Sequence, residues 1–243
     1  MSRILERLRA ELRANADEKT ISSFQRFFKE EVKYYGVKMG IVDKIASNYW
    51  KEIKSLDKKE IFDLCEDLFS SDYTEEAAVA SSWTPKLADK FEPADLTLFK
   101  RWIETYLNNW AKCDGFCNHT IGDFVEKYPD SVRELVTWTE SPNRWMKRAA
   151  AVSLIIPAKK GHFLHEIFTI SDRLLPDKDD MVQKGYGWLL KEASHLHQED
   201  VFKYVMKNRK VMPRTALRYA IEKMPQELKA EAMKKVAYLL PPK

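Results

Sequence analysis

The stretch DKKEIFDLCEDLFSSD, residues 57–72, decides how the chain folds. Its apolar residues Ile61, Leu64, Cys65, Leu68 and Phe69 recur at steps of three and four, the spacing of one face of an α-helix. The acids Asp57, Glu60, Asp63, Glu66 and Asp67 fall between them and leave the opposite face polar. The same stripe occurs upstream in Ile4, Leu5, Leu8 and Leu12, and downstream in Val201, Phe202, Val205 and Met206. Breaks at Gly36, Gly40, Asp72, Pro93, Pro129, Pro142, Pro176 and Pro213 divide the chain into roughly twelve to fourteen helices. Alternating strands with hairpin turns are absent. Short loops between so many helices predict an all-α solenoid of antiparallel helix pairs, each burying its stripe against the next and together forming a curved, concave surface. No long Gly/Ser or Pro linker interrupts residues 1–243, which read as a single domain.

Composition agrees. Hydrophobic residues make up 44% and charged residues 32%, as in soluble globular proteins, and only 7 glycines argue against a turn-rich β protein. No apolar run approaches the roughly 18 residues of a membrane span. The opening MSRILERLRAELRANA alternates charge with leucine and is not expected to act as a secretory signal. Three cysteines, an odd number, fit a reducing cytoplasm better than a disulfide framework.

The net charge of +4 says little about partners, but its distribution says more. Residues 57–76 are acidic, whereas Lys203, Lys207, Arg209, Lys210, Arg214 and Arg218 lie in a stretch without a single acid. Such polarity suits a surface that attracts an anionic polymer; the plainer reading of each run is a solvated helix face.

One segment, NNWAKCDGFCNH (residues 108–119), concentrates chemistry-bearing side chains. Trp110 and Asp114 are four apart and share a helix face. Cys113, Cys117 and His119 give a C-x3-C-x-H spacing, but zinc wants about four ligands, and the fourth would have to come from Cys65, His195 or His197. Cysteines packed in the core are the better reading. No G-x-S-x-G elbow or phosphate loop is present, and Gly185-Tyr186-Gly187 lies inside a helical pattern, the wrong context for a dinucleotide fingerprint. Of seven tryptophans, Trp50, Trp83, Trp102 and Trp138 sit among apolar neighbours and read as core. Trp188 in QKGYGWLLKEA is flanked by Gly185 and Gly187, each costing a helix roughly 1 kcal/mol relative to alanine. Close backbone packing, or room for a ligand beside Trp188, would justify them.

Three strings taken together, NNWAKCDGFCNHTIGDFVEKYPD, NRWMKRAAAVSL and QKGYGWLLKEA, resemble the AlkD-type DNA alkylation repair glycosylases, which are built from HEAT-like helical repeats. The resemblance spans nearly the whole chain. It implies that Asp114 matches the catalytic carboxylate, that Trp110 and Trp188 match an aromatic pair lining the active cleft, and that Arg148 approaches the DNA backbone near the lesion. It further implies excision of cationic N3- and N7-alkylated purines from double-stranded DNA by a monomer, without metal or redox cofactor. Relatives do this while touching mainly backbone and deoxyribose, without drawing the base into a deep pocket. Arg144, Lys147, Lys159, Lys160, Arg214 and Arg218 are further candidates for tracking phosphates.

The residue types suit that chemistry. A cationic alkylpurine departs as a neutral base and needs no general acid; a carboxylate stabilises positive charge on the sugar and orients water. Indole faces attract the cation by roughly 0.5 to 2 kcal/mol. No lysine stands out as a Schiff-base nucleophile, so a monofunctional glycosylase is expected. One departure stands in GVKMGIVDKI: relatives carry a proline and paired arginines there, and this chain has Asp43 nearby. A non-catalytic binder of unusual or branched DNA and a protein-interaction scaffold are the alternative readings of the same fold.

Overall fold

A computed structural model describes residues 3–234. They form sixteen α-helices and no extended strand, only an isolated bridge between Lys33 and Tyr73. The count exceeds the sequence expectation because short turns without Gly or Pro also interrupt helices. Two compact units divide at Ser131/Val132.

The first unit holds α1 (Arg3–Ala14), α2 (Glu18–Phe24), α3 (Met39–Ile53), α4 (Lys58–Ser70), α5 (Thr74–Trp83), α6 (Asp95–Tyr106), α7 (Trp110–Phe116) and α8 (Gly122–Lys127). The opening stretch folds as its pattern dictates. Asp57 and Glu60 close a reciprocal capping box at the start of α4, with the Glu60 carboxylate 3.0 Å from the Asp57 N–H. Ile61, Leu64, Cys65, Leu68 and Phe69 are buried. The chain then turns through Asp72 at φ 68°, a left-handed conformation uncommon for a residue other than glycine.

Helix α5 is the hub, packed against α3, α4 and α7. Its sequence TEEAAVASSW has no polar stripe, and small Ala and Ser side chains let three helices approach it. Its first turn carries two buried acids. The Glu75 carboxylate accepts the backbone N–H groups of Tyr35, Gly36 and Val37 at 2.8–3.1 Å. Glu76 accepts from Arg9 at 2.8 Å and from the Tyr35 hydroxyl at 2.5 Å. Burial, reinforced by Glu76, pushes the Tyr35 hydroxyl pKa upward. Gly36, at φ 88°, is required where the clasped segment turns: a Cβ there would lie 2.2 Å from Ile21 Cγ1. The irregular segment between α2 and α3 is thereby fixed to the core.

The second unit holds α9 (Val132–Trp138), α10 (Arg144–Val152), α11 (Ile155–Lys159), α12 (Leu164–Leu174), α13 (Asp180–Ala193), α14 (Gln198–Asn208), α15 (Arg214–Ala220) and α16 (Gln226–Met233). Here α13 is the hub, packed against α10, α11, α12 and α15. Of its glycines, Gly187 is a packing position. A Cβ on Gly187 would lie 2.8 Å from Tyr219 Cβ and 2.9 Å from the Ala216 carbonyl oxygen, so glycine lets α15 approach closely. A Cβ on Gly185 would meet Arg148 Cγ at 3.4 Å. Close packing, one of the two reasons the sequence offered, accounts for Gly187, whereas Gly185 would meet only ordinary contacts.

Trp83, Trp102 and Trp138 are buried as expected, while Trp50 is half-buried. Cys65, Cys113 and Cys117 are buried thiols, and burial pushes the Cys65 thiol up to about 12.

Candidate functional site

Helix α7 begins at Asn109, whose side chain accepts the Lys112 N–H at 3.0 Å as an N-cap. Seven residues later the α-helix gives way to a π-helical turn, Cys117–Ile121. Such turns are rare and occur often at functional sites. Cys113 and Cys117 face the core while His119 is exposed, so the three side chains of the C-x3-C-x-H spacing do not converge.

Trp110 and Asp114 are both half-buried and both line a cavity of about 760 Å³ in the first unit. The helix spacing thus brings them together as the sequence predicts. The Trp110 indole N–H donates to the Phe27 carbonyl at 3.1 Å, and its ring stacks on Phe28 with centroids 5.4 Å apart. Phe28 stacks in turn on Phe24, and Phe24 on Tyr34. A continuous aromatic row therefore fixes the indole plane. Asp43 also lines the cavity, adding a second carboxylate.

A buried ion pair anchors this helix. The Lys112 ammonium, 2% exposed, lies 2.6 Å from Asp72 Oδ1 and also donates to the Asp72 carbonyl and the Asn108 side chain. Burial lowers the Lys112 pKa, and Asp72 opposes but does not cancel it. For Asp72, burial works against the charge, but hydrogen bonds from Lys112 and Asn108 outweigh it and hold the carboxyl below its ordinary range. Lysine bears the desolvation cost because it is the deeper partner.

In the second unit, Trp188 is half-buried and its indole N–H donates to Glu192 Oε1 at 2.8 Å. Lys159 lies 3.6 Å from the same carboxylate and His195 3.5 Å. The cations of α10 are held internally. Arg148 is buried and donates to the Met181 carbonyl. Arg144 pairs with Asp179 at 2.9 Å, with its guanidinium over the Trp145 ring, and Lys147 pairs with Asp177 at 2.7 Å. Asp179 also caps α13 through the Met181 and Val182 N–H groups. Lys160, Arg214 and Arg218, by contrast, lie on the exposed surface.

The sequence model of the DNA alkylation repair enzymes matches residues 8–224, which include every candidate residue above. The chain belongs to this family. A solved structure described as a predicted DNA alkylation repair enzyme from Enterococcus faecalis shares the fold of this family member, with a TM-score of 0.78 at 15% sequence identity. The likeness covers 87% of this chain and 98% of that one. No curated protein matches the chain.

Sequence reasoning overlooked Phe24, Phe27 and Phe28 as cavity walls, although the run FQRFF was visible. It noted Asp43 only as standing near the place where relatives carry paired arginines. The Asp72–Lys112 pair left no pattern, because its partners are 40 residues apart.

Proposed function

We propose that this member of the family is a monofunctional DNA glycosylase that excises cationic N3- or N7-alkylated purines from duplex DNA. The observation that carries the reading is the shared cavity wall of Trp110 and Asp114 in a chain of this family. As the glycosidic C–N bond breaks, its electron pair neutralises the base, and positive charge develops on the sugar. Asp114 stabilises that oxocarbenium-like sugar, orients a water toward C1′, and receives or relays the proton the water loses. The Trp110 face favours the cationic nucleotide over a normal one. Trp188 is assigned the second aromatic role by resemblance, and its bond to buried Glu192 supports a fixed indole.

The helix pairs are read as HEAT-like solenoid repeats with a concave DNA-binding face, a reading supported by the packing of α4 on α5 and α12 on α13. Lys160 and Arg214 are the exposed candidates for phosphate contact. Arg144, Lys147, Arg148 and Lys159 are kept as further candidates for DNA contact, with their internal partners setting their positions. The enzyme works as a monomer, without metal or redox cofactor, in the cytoplasm.

The test is release of N7-methylguanine or N3-methyladenine from methylated duplex DNA, comparing the native protein with Asp114→Asn. Collapse of release in the variant, with fold and DNA affinity kept, is expected. DNA binding without release by either protein would instead favour a non-catalytic binder of unusual DNA. Release unaffected by Asp114→Asn would remove Asp114 from the mechanism.

A further inference from the structure

Trp188 is held by a carboxylate that is itself held from several sides. Glu192, one turn further along α13, is buried, at 7% exposure. Its Oε1 accepts the Trp188 indole N–H at 2.8 Å and lies 3.8 Å from the Lys191 ammonium. Its Oε2 lies 3.6 Å from the Lys159 ammonium, on α11, and 3.5 Å from the His195 imidazole, beyond the end of α13. Lys191 also pairs at 3.4 Å with Glu222, just after α15. A side chain pins another only if it is fixed itself, and an isolated Trp–Glu pair one turn apart leaves both free to change rotamer. Here a cation from a separate helix holds the acceptor, and burial removes the water that would compete for it. With its N–H tied to a buried group, the half-buried indole leaves apolar ring surface outside. Lys159, whose side chain is 52% exposed, stands on the same carboxylate. One buried anion thus places an aromatic face beside a solvent-reachable cation, the two groups that engage the sugar and the phosphate of a nucleic-acid backbone. Stability alone gives no reason for this anion, because a buried charge with its partners is often no better than apolar packing.

We propose that Glu192 is a positioning residue, which holds the Trp188 ring and the Lys159 ammonium in one fixed arrangement against the DNA backbone. The inference rests on the proposed engagement of DNA by Trp188 and deepens it: ring and cation act as a unit, while Glu192 itself stays clear of the DNA. Lys159 is then no independent phosphate tracker but half of a pair whose other half lies on α13. Removing the acceptor frees the ring and the lysine together. Removing only its charge, as in Glu192→Gln, leaves the ring bonded and frees the lysine.

The test follows the Trp188 indole N–H of the full-length protein by heteronuclear NMR, its signal being the one lost in Trp188→Phe, with duplex-DNA affinity measured alongside. Glu192→Ala is expected to speed hydrogen exchange at that N–H by about tenfold, whereas Glu192→Gln, which keeps an acceptor, should leave it protected. DNA binding should weaken in Glu192→Ala at least as far as in Trp188→Phe, and the two losses should not add in the double variant. Glu192→Gln should fall between the native protein and Glu192→Ala. A merely structural glutamate would lower the melting temperature of both variants and leave affinity and cycle unmoved. If Glu192→Ala does not fold, the near-isosteric Glu192→Gln carries the test through Lys159: Lys159→Ala should weaken binding distinctly in the native background and much less in Glu192→Gln. Unchanged exchange in Glu192→Ala, additive losses in the cycle, or an equal Lys159→Ala loss in both backgrounds would overturn the proposal. So would DNA affinity that Trp188→Phe leaves unchanged. Base release from methylated DNA separates the proposal from the glycosylase reading. Release absent from every protein, with the indole and affinity results as expected, removes the glycosylase and keeps the positioning role. Release and affinity untouched by Glu192→Ala remove the positioning role and leave the glycosylase.

Discussion

The ammonium of Lys112 lies 2.6 Å from the carboxylate of Asp72, joining the turn after α4 to the first turn of α7, two residues beyond Trp110. Removing one partner of such a pair leaves the other charge uncompensated, and Lys112 is the buried one. Asp72→Ala should therefore destabilise the protein by about 3 kcal/mol, while Lys112→Met, which removes the buried charge itself, should cost distinctly less. Urea denaturation of the two variants checks the order; equal losses would mean that the pair acts through packing alone.

A second effect is electrostatic. The Arg101 guanidinium, hydrogen-bonded to Glu66, holds that carboxyl at about 2, below its usual 4.5, against the opposing effect of burial. A depressed folded-state pKa contributes stability above the unfolded value, near 4.5, that is lost as pH falls through about 2. The pair is half-exposed on the arginine side, so screening reduces the contribution to about 1 kcal/mol. Glu66→Gln should be less stable than the native protein at pH 6 and indistinguishable from it near pH 2, as read from urea midpoints across that range.

The two glycines of α13 make opposite predictions. Gly187→Ala pushes a methyl group into Tyr219 and the α15 backbone and should cost about 1–3 kcal/mol. Gly185→Ala meets only ordinary contacts and gains helix propensity, so stability should hold or rise by up to about 1 kcal/mol. Thermal melts of both variants decide it; a fall for Gly185→Ala would show that Arg148 cannot yield.

DNA affinity should separate exposed cations from internally paired ones. Lys160→Ala and Arg214→Ala should each lower the slope of log K against log salt by about 0.9 if they contact phosphate. Lys147→Ala should instead lower thermal stability by about 1 kcal/mol through loss of Asp177. An unchanged slope in both exposed variants would place the DNA elsewhere.

Much of the fold was legible. The stripe Ile61, Leu64, Cys65, Leu68, Phe69 marked α4, its acids marked the cap, and the four-residue step from Trp110 to Asp114 placed both on one wall. Helix α5 was harder, because TEEAAVASSW buries all round and shows no amphipathic period. Its buried acids read as solvated charge, since a carboxylate that accepts three backbone N–H groups looks in sequence like any other. The basic string of α10 read as a DNA surface, yet Arg144, Lys147 and Arg148 each meet a partner more than 29 residues downstream. Local pattern reports the face of a helix, but not what lies opposite it.

The clasp of Glu75 on Tyr35, Gly36 and Val37 has a consequence for synthesis. The segment that carries Phe27 and Phe28 leaves the ribosome before α5, whose Glu75 accepts those three amides in the folded protein. Translation is directional, so the aromatic wall is completed only when Trp110 of α7 has emerged, although its first residues are among the first to be translated.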